Sequence, residues 1–359
     1  MKAGLAERLL AKVMDWAPED VARERPILQA LADLKYDGYQ QYSPGMRFVE
    51  SFALWLAQFE TVEQRRSAYD FVRRRLVYLG NAEMDHFAAI AYSDLIRPIL
   101  IDAAAEAEGI PKYRIRSVLE SDTFADLQNS TLFCGLSDGA RIDFFRRANR
   151  QLSHEQIFQS YDLSEQKLTE LSERLGADGA DPPCRALVLL DDFSASGTSY
   201  FRRDGDTYKG KVAKFLARTQ TEPIWQKLVR LPDTKVIVAV YVATDVAIQR
   251  IRDGAAGFLP TSTEWFQVAV VQRLPEDLRV DRESDDPFVA LATHYYDESV
   301  EDEHFEKGGT DGRFGFAGGG LPLVLHHNTP NNSLFLLWAE DGRQVRGLFP
   351  RVSRHRSEG

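Results

Sequence analysis

The chain has 359 residues, of which 44% are hydrophobic and 27% charged, and a net charge of −10. Those values fit a globular protein of about two domains and argue against a protein-wide electrostatic grip on nucleic acid. No apolar run approaches the ~18 residues of a membrane span, and Glu7 and Arg8 interrupt the N-terminal apolar stretch, so no membrane contact and no signal peptide are expected. The two cysteines, Cys134 and Cys184, are far apart with no CxxC, which disfavours a disulfide framework or zinc site and fits a reducing cytoplasm.

Residues 1–122 are expected to form an all-helical N-terminal domain. Leu5, Leu9, Leu10, Val13 and Trp16 recur at helical spacing, as do Ile27, Leu28, Leu31 and Leu34. Phe48, Phe52, Trp55 and Phe59 mark one face of a further helix, and the i, i+4 spacing is what core packing requires. Thr61 with Gln64 forms a capping-box signature, with Gly80 as a stop. Helical segments at 82–108 and 111–121 follow. Arg65, Arg66, Arg73, Arg74, Arg75, Arg114 and Arg116 present either an anionic-partner patch or a solvated helix face offset by Glu60, Glu63 and Asp70.

Residues 123–359 change in composition. Thr131–Gly135 reads as a strand, Leu136–Gly139 as a turn and Ala140–Asn149 as a helix. Ser137, Gly139 and Arg141 are candidate anion ligands at that helix start, where exposed N–H groups attract negative charge. Capping by Ser137 or Asp138 is the competing reading. Residues 153–175 read as one or two helices, and Gly176–Pro183 as a linker.

Ala186–Leu190 is a short apolar run, read as a buried strand, that stops at Asp191 and Asp192. The loop beyond it, Phe193 to Ser199, is rich in small and hydroxylated residues. Such a loop lies at a strand's carboxyl end, where open α/β sheets bind ligands, and its N–H and hydroxyl groups can reach an anion. Two carboxylates beside a phosphate cradle make sense when the ligand also carries hydroxyls or brings a divalent cation. A polar insertion from Tyr200 to Lys211 follows. Arg202, Arg203, Lys209 and Lys211 in it either carry positive charge to an anionic ligand or are solvated on a flexible loop.

Lys235–Val242 is a near-continuous β-branched strand, and Thr244 and Asp245 follow at its end, where N-capping of the next helix is the simplest role. Phe266–Gln272 is the next strand. The alternation predicts a doubly wound, mainly parallel α/β sheet. Residues 274–320 form an acidic insertion; Asp297, Glu298, Glu301, Asp302, Glu303 and His304 are read as a solvated loop rather than a metal site. Leu321–Leu325 and Leu334–Trp338 are predicted strands flanking a turn rich in His and Asn, from His326 to Asn332.

The stretch Asp191-Asp192-Phe193-Ser194-Ala195-Ser196-Gly197-Thr198-Ser199 resembles the PRPP-binding motif of type I phosphoribosyltransferases. Together with His326-His327-Asn328-Thr329-Pro330-Asn331-Asn332, it resembles the divergent PRTase-CE family of bacterial conflict and anti-phage systems, over roughly residues 123–350. The resemblance implies a sheet of the phosphoribosyltransferase type with a hood at 274–320. It implies that Asp191 and Asp192 are catalytic, hold the ribose hydroxyls and contact Mg²⁺ indirectly. Ser194, Ser196, Gly197, Thr198 and Ser199 would hold the 5′-phosphate. Ser137, Gly139, Arg141, Arg202, Lys209 and Lys211 would serve pyrophosphate, and His326 and Asn328 an acceptor base. Ala195 departs from the motif by lacking a hydroxyl. The implied function is an effector that binds PRPP or a nucleotide and transfers or cleaves a ribosyl group. The alternative is a non-catalytic sensor or scaffold partnering another defence component, such as a reverse transcriptase with its nucleic acid.

Overall fold

A computed structural model of the chain describes residues 3–42, 45–176, 183–259, 264–300, 312–340 and 345–351. The strands are, in chain order, β1 (Val77–Leu79), β2 (Thr131–Gly135), β3 (Ile157–Phe158), β4 (Ala186–Ser194), β5 (Arg202–Asp204), β6 (Thr207–Lys209), β7 (Lys235–Thr244), β8 (Phe266–Leu274) and β9 (Leu323–Leu325). The chain divides into two compact units, Met84–Leu274 and the combination of Met1–Glu83 with Pro275–Gly359. The expected division at 122/123 is therefore replaced by one in which the C-terminal segment completes the N-terminal helices.

The physical reason lies in the apolar stripe on the helix Phe48–Ala57. Phe48, Phe52 and Trp55 on that helix, with Phe59 just beyond it, are fully buried, but much of what covers them comes from the far end of the chain. Phe349 stacks on Phe48, and the Trp55 indole N–H donates to the Leu336 carbonyl at 2.8 Å. β1 pairs in parallel with β9, so this mainly helical unit holds a two-stranded sheet joining its N- and C-terminal segments. The expected strand over Leu334–Trp338 is instead a short helix, Phe335–Trp338, buried in the same core.

Two other expectations for this unit are met or refined. Thr61 and Gln64 form the capping box of the helix Val62–Arg74. The arginines are largely spent inside the unit. Arg65 donates to the carbonyls of Phe59 and Val13, Arg73 pairs with Glu24, Arg74 with Asp70 and Arg75 with Asp286.

The second unit is built on five strands in the order β3-β2-β4-β7-β8, every neighbouring pair parallel. Renumbered within the sheet this is 2-1-3-4-5, a doubly wound order whose direction reverses between β2 and β4. The central strands are apolar on both faces, as parallel strands covered by helices must be. β3 was expected to be helical; its two apolar residues are too short a pattern to show a period. The helices around 82–129 belong to this unit, not to a separate domain: the Tyr92 ring meets Phe133 of β2 edge-on. The insertion after Ser199 is an antiparallel hairpin, β5–β6, turning at Gly205-Asp206. It is anchored by Phe201 and Tyr208 against Phe258, so its folded form is held by aromatic burial.

Candidate functional site

Parallel register delivers the candidate residues to one sheet edge. Gly135 of β2 is level with Leu190 of β4, and the Leu136 N–H donates to the Leu190 carbonyl at 2.8 Å. The next residues out, Ser137 and the Asp191–Asp192 pair, emerge together at the point where the strand order reverses. That crevice is where doubly wound sheets bind ligands.

Successive residues of a strand face opposite sides of a sheet. This separates two carboxylates that are adjacent in sequence. Asp191 shares a face with Leu187 and Leu189, beneath the helix Lys211–Thr221, and is fully buried. Both its oxygens are engaged: Oδ2 accepts from the Tyr200 hydroxyl and the Lys211 ammonium, each at 2.6 Å, and Oδ1 accepts from the Ser137 hydroxyl. Lys211 also lies over the Tyr200 ring, 5.3 Å from its centroid. The buried charge is thus compensated inside the protein.

Asp192 is partly exposed on the other face. Its Oδ1 accepts from the Phe193 N–H at 2.9 Å and faces Ser137 at 3.4 Å. Burial first, then the neighbouring Asp191 charge, push its carboxyl up to about 7, against the opposing pull of Lys211. Gly139 packs directly beneath it, and any side chain at that position would collide with the Asp192 carboxylate.

The loop Ala195–Ser199 is shaped by the neighbouring strand and helix. Thr244 caps the helix Asp245–Phe258 through the Ala247 N–H, and its hydroxyl also donates to the Ala195 carbonyl at 2.5 Å. Arg250 donates to the Ser196 carbonyl at 2.9 Å. In a trans peptide the N–H points opposite to the preceding carbonyl, so the Ser196 and Gly197 amides are turned to the other side. Among the described residues, the amides of Ser196, Gly197, Thr198 and Ser199 have no acceptor within the protein. Gly197 adopts φ +71°, and a Cβ there would fall 2.9 Å from the Ala247 carbonyl oxygen, so both backbone and packing require glycine. The Ser196 and Thr198 hydroxyls lie 2.9 Å apart on this loop, whereas Ser194 is buried behind it.

The remaining sequence-derived candidates are disposed differently. Arg141, in a left-handed backbone conformation, pairs with Asp85. Lys209 pairs with Asp204 across the hairpin, and Arg202 stands opposite Lys209. His326 and Asn328 lie in the other unit, where they form a turn next to β9. His326 is buried, its N–H bound to the Leu79 carbonyl, and the Asn328 side chain accepts from the Thr329 N–H. Glu301–His304 lie outside the described residues. Among the described residues no group of three His, Cys, Asp or Glu side chains is placed to hold a metal ion, and no helix is long and apolar enough to cross a membrane.

Sequence reasoning did not find Tyr200, Arg250 or Tyr241, whose buried hydroxyl donates to the Ala140 carbonyl at 2.6 Å and holds the turn after β2. Only tertiary packing brings them to the site, and no spacing announces it.

A five-stranded parallel sheet in this order, with paired carboxylates and a small-residue loop at the switch point, defines a phosphoribosyltransferase-like α/β protein. The chain belongs to the PRTase-CE family, whose family model matches residues 53–351. That span reaches well into the N-terminal helices, further than the 123–350 carried by the motifs, in keeping with the shared core of residues 1–83 and 275–359. No curated protein and no solved structure matches the chain.

Proposed function

We propose that this protein binds the ribose 5-phosphate moiety of PRPP or a nucleotide at the carboxyl ends of β2 and β4, as an effector of a bacterial conflict or anti-phage system. One observation carries the reading. A partly exposed carboxylate, Asp192, shares the switch-point edge with a loop of four amides, Ser196–Ser199, that lack protein acceptors among the described residues. A carboxylate accepts hydrogen bonds from vicinal sugar hydroxyls, and convergent amides and hydroxyls donate to a phosphate. In a transfer reaction the positive charge that develops on the ribose as its leaving group departs would face Asp192 at close range, in a site that excludes water on its Asp191 side.

Asp191, with both oxygens engaged, does not combine with Asp192 into a bidentate metal holder. Mg²⁺ would reach this site on the phosphate oxygens of the ligand, neutralising their charge.

The test is a thermal shift with millimolar PRPP or nucleoside monophosphate, since a ligand that binds the native state raises its melting temperature. A rise in wild type that Asp192→Asn reduces supports the site; no rise with any sugar phosphate removes it. The sensor reading, in which the protein reports a bound nucleotide to a partner such as a reverse transcriptase and its nucleic acid, draws support from the commitment of Asp191 to Lys211, Tyr200 and Ser137. Metabolite profiling of expressing cells separates the two: a depleted or newly ribosylated species supports transfer, and an unchanged profile despite toxicity supports sensing.

A further inference from the structure

We infer that the N-terminal helices carry a second small-molecule site, a cavity that takes a compact apolar body bearing an ammonium head. It lies within the unit of residues 1–83 and 275–359 and does not depend on the ribose-phosphate reading.

The helix Ala3–Met14 packs against the helix Phe48–Ala57 and buries Leu10 and Met14 in the shared core. The helix Pro18–Leu34 covers that pair incompletely. Only Leu28 and Ala32 on it are buried, four residues apart, while Ile27 and Leu34 are exposed. A stripe of one Leu and one Ala is too narrow to fill the space between three helices at the density of a protein interior. What remains is a cavity of about 120 Å³, lined on its apolar side by Leu10, Trp16, Leu28 and Ala32. An apolar cavity of about 150 Å³ is enough to hold benzene. This one therefore suits a single ring or a short branched chain, and it is too small for the face of a helix.

The charged residues around the same cavity set the head group. Four carboxylates, Glu7, Asp33, Asp37 and Glu50, line it together with only two guanidiniums, Arg25 and Arg47. Both guanidiniums are committed. Arg25 pairs with Glu7 at 3.0 Å and Arg47 with Asp37 at 2.9 Å, and Asp37 also accepts from the Phe48 N–H at 2.7 Å. The excess of negative charge favours a cation and opposes an anion. Trp16 strengthens the preference, since the face of an indole attracts an ammonium group. Its ring meets Tyr69 edge-on with centroids 5.2 Å apart, and the Tyr69 hydroxyl donates to Glu24 at 2.7 Å. The indole is thus held in place before a ligand arrives, which lowers the cost of binding.

Ligand-observed NMR titration of the full chain with phenethylamine, phenethyl alcohol and phenylacetate tests this, because the ring is constant and only the head changes. The amine is expected to bind more tightly than the alcohol by roughly threefold or more, with phenylacetate weakest and the gap narrowing in high salt. Asp33→Asn, at an exposed position, should narrow the gap between amine and alcohol and leave the alcohol unchanged. Ala32→Leu fills the cavity and should abolish binding of all three. Phenylacetate or the alcohol binding as tightly as the amine overturns the inference, as does a lack of binding by all three. So does an Ala32→Leu chain that is folded by circular dichroism and still binds the amine. Should that variant not fold, the head-group series and Asp33→Asn decide alone.

Discussion

Replacing Asp192 by Asn should make the protein more stable and a poorer binder at once. The carboxyl titrates near 7 in the fold against 3.8 in an unfolded chain, because burial and Asp191 disfavour its charge. The folded state therefore holds the proton more tightly. The stability linked to that proton is fully present below about 3.8 and is lost as pH rises through about 7. The gap corresponds to at most about 4 kcal/mol, and partial exposure of the side chain reduces it to about 1–3 kcal/mol.

Asn keeps an acceptor for the Phe193 N–H and cannot ionise. Asp192→Asn should match wild type near pH 4 and exceed it progressively towards pH 8, by a few degrees in Tm. Ribose 5-phosphate affinity should fall by about 1.5–3 kcal/mol, the worth of a hydrogen bond to a charged group. In wild type that affinity should rise as pH passes about 7, a rise the variant should lack once the ligand's own second phosphate ionisation, at about 6, is complete. Urea melts and calorimetry from pH 4 to 8 measure all of this. A variant less stable than wild type at pH 8 would refute the reasoning, since it would make Asp192 a structural carboxylate.

Lys211→Met leaves Asp191 buried without its cation and should cost about 3–5 kcal/mol in urea denaturation; a loss below 1 kcal/mol would show that the pair contributes little. Gly197→Ala, at φ +71° and against the Ala247 carbonyl, should cost about 1–3 kcal/mol and weaken phosphate binding, both read by thermal shift with and without ribose 5-phosphate. Thr244→Ala removes a helix cap and a bond to the Ala195 carbonyl together, for a loss of about 1–2 kcal/mol and a weakened ligand-induced shift. Trp55→Ala should cost about 3–5 kcal/mol, with protease cleavage appearing in the C-terminal segment as well as the N-terminal helices, because the indole holds the Leu336 carbonyl.

Much of the sheet was legible because long β-branched or apolar runs have only one comfortable home. The runs at 131, 186, 235 and 266 all became parallel strands. Local capping chemistry was equally readable at Thr61 and Thr244, where a hydroxyl and the amide it caps are three residues apart. The misses share a cause. β1 and β9 are three residues each and exist because they find one another across 246 positions, as Val77 does Leu323. The stripe Phe48, Phe52, Trp55 announced burial but not its partner, so the domain boundary fell in the wrong place. The hairpin after Ser199 carried a usable signal in Gly205-Asp206, a two-residue hairpin turn between two short extended stretches.

By itself the sequence determined the class: apolar strands in alternation with helices, a carboxylate pair at a strand end and a loop of small residues beyond it. Those follow from local periodicity and turn chemistry, which neighbouring residues carry between them. Only the tertiary structure decided which carboxylate is which. Asp191 and Asp192 are the same residue type one peptide apart, and the pleat sends one under Lys211 and Tyr200 and the other towards the crevice. The partners that make the difference arrive from 9 and 20 residues away, on a turn and a helix whose placement no local pattern specifies.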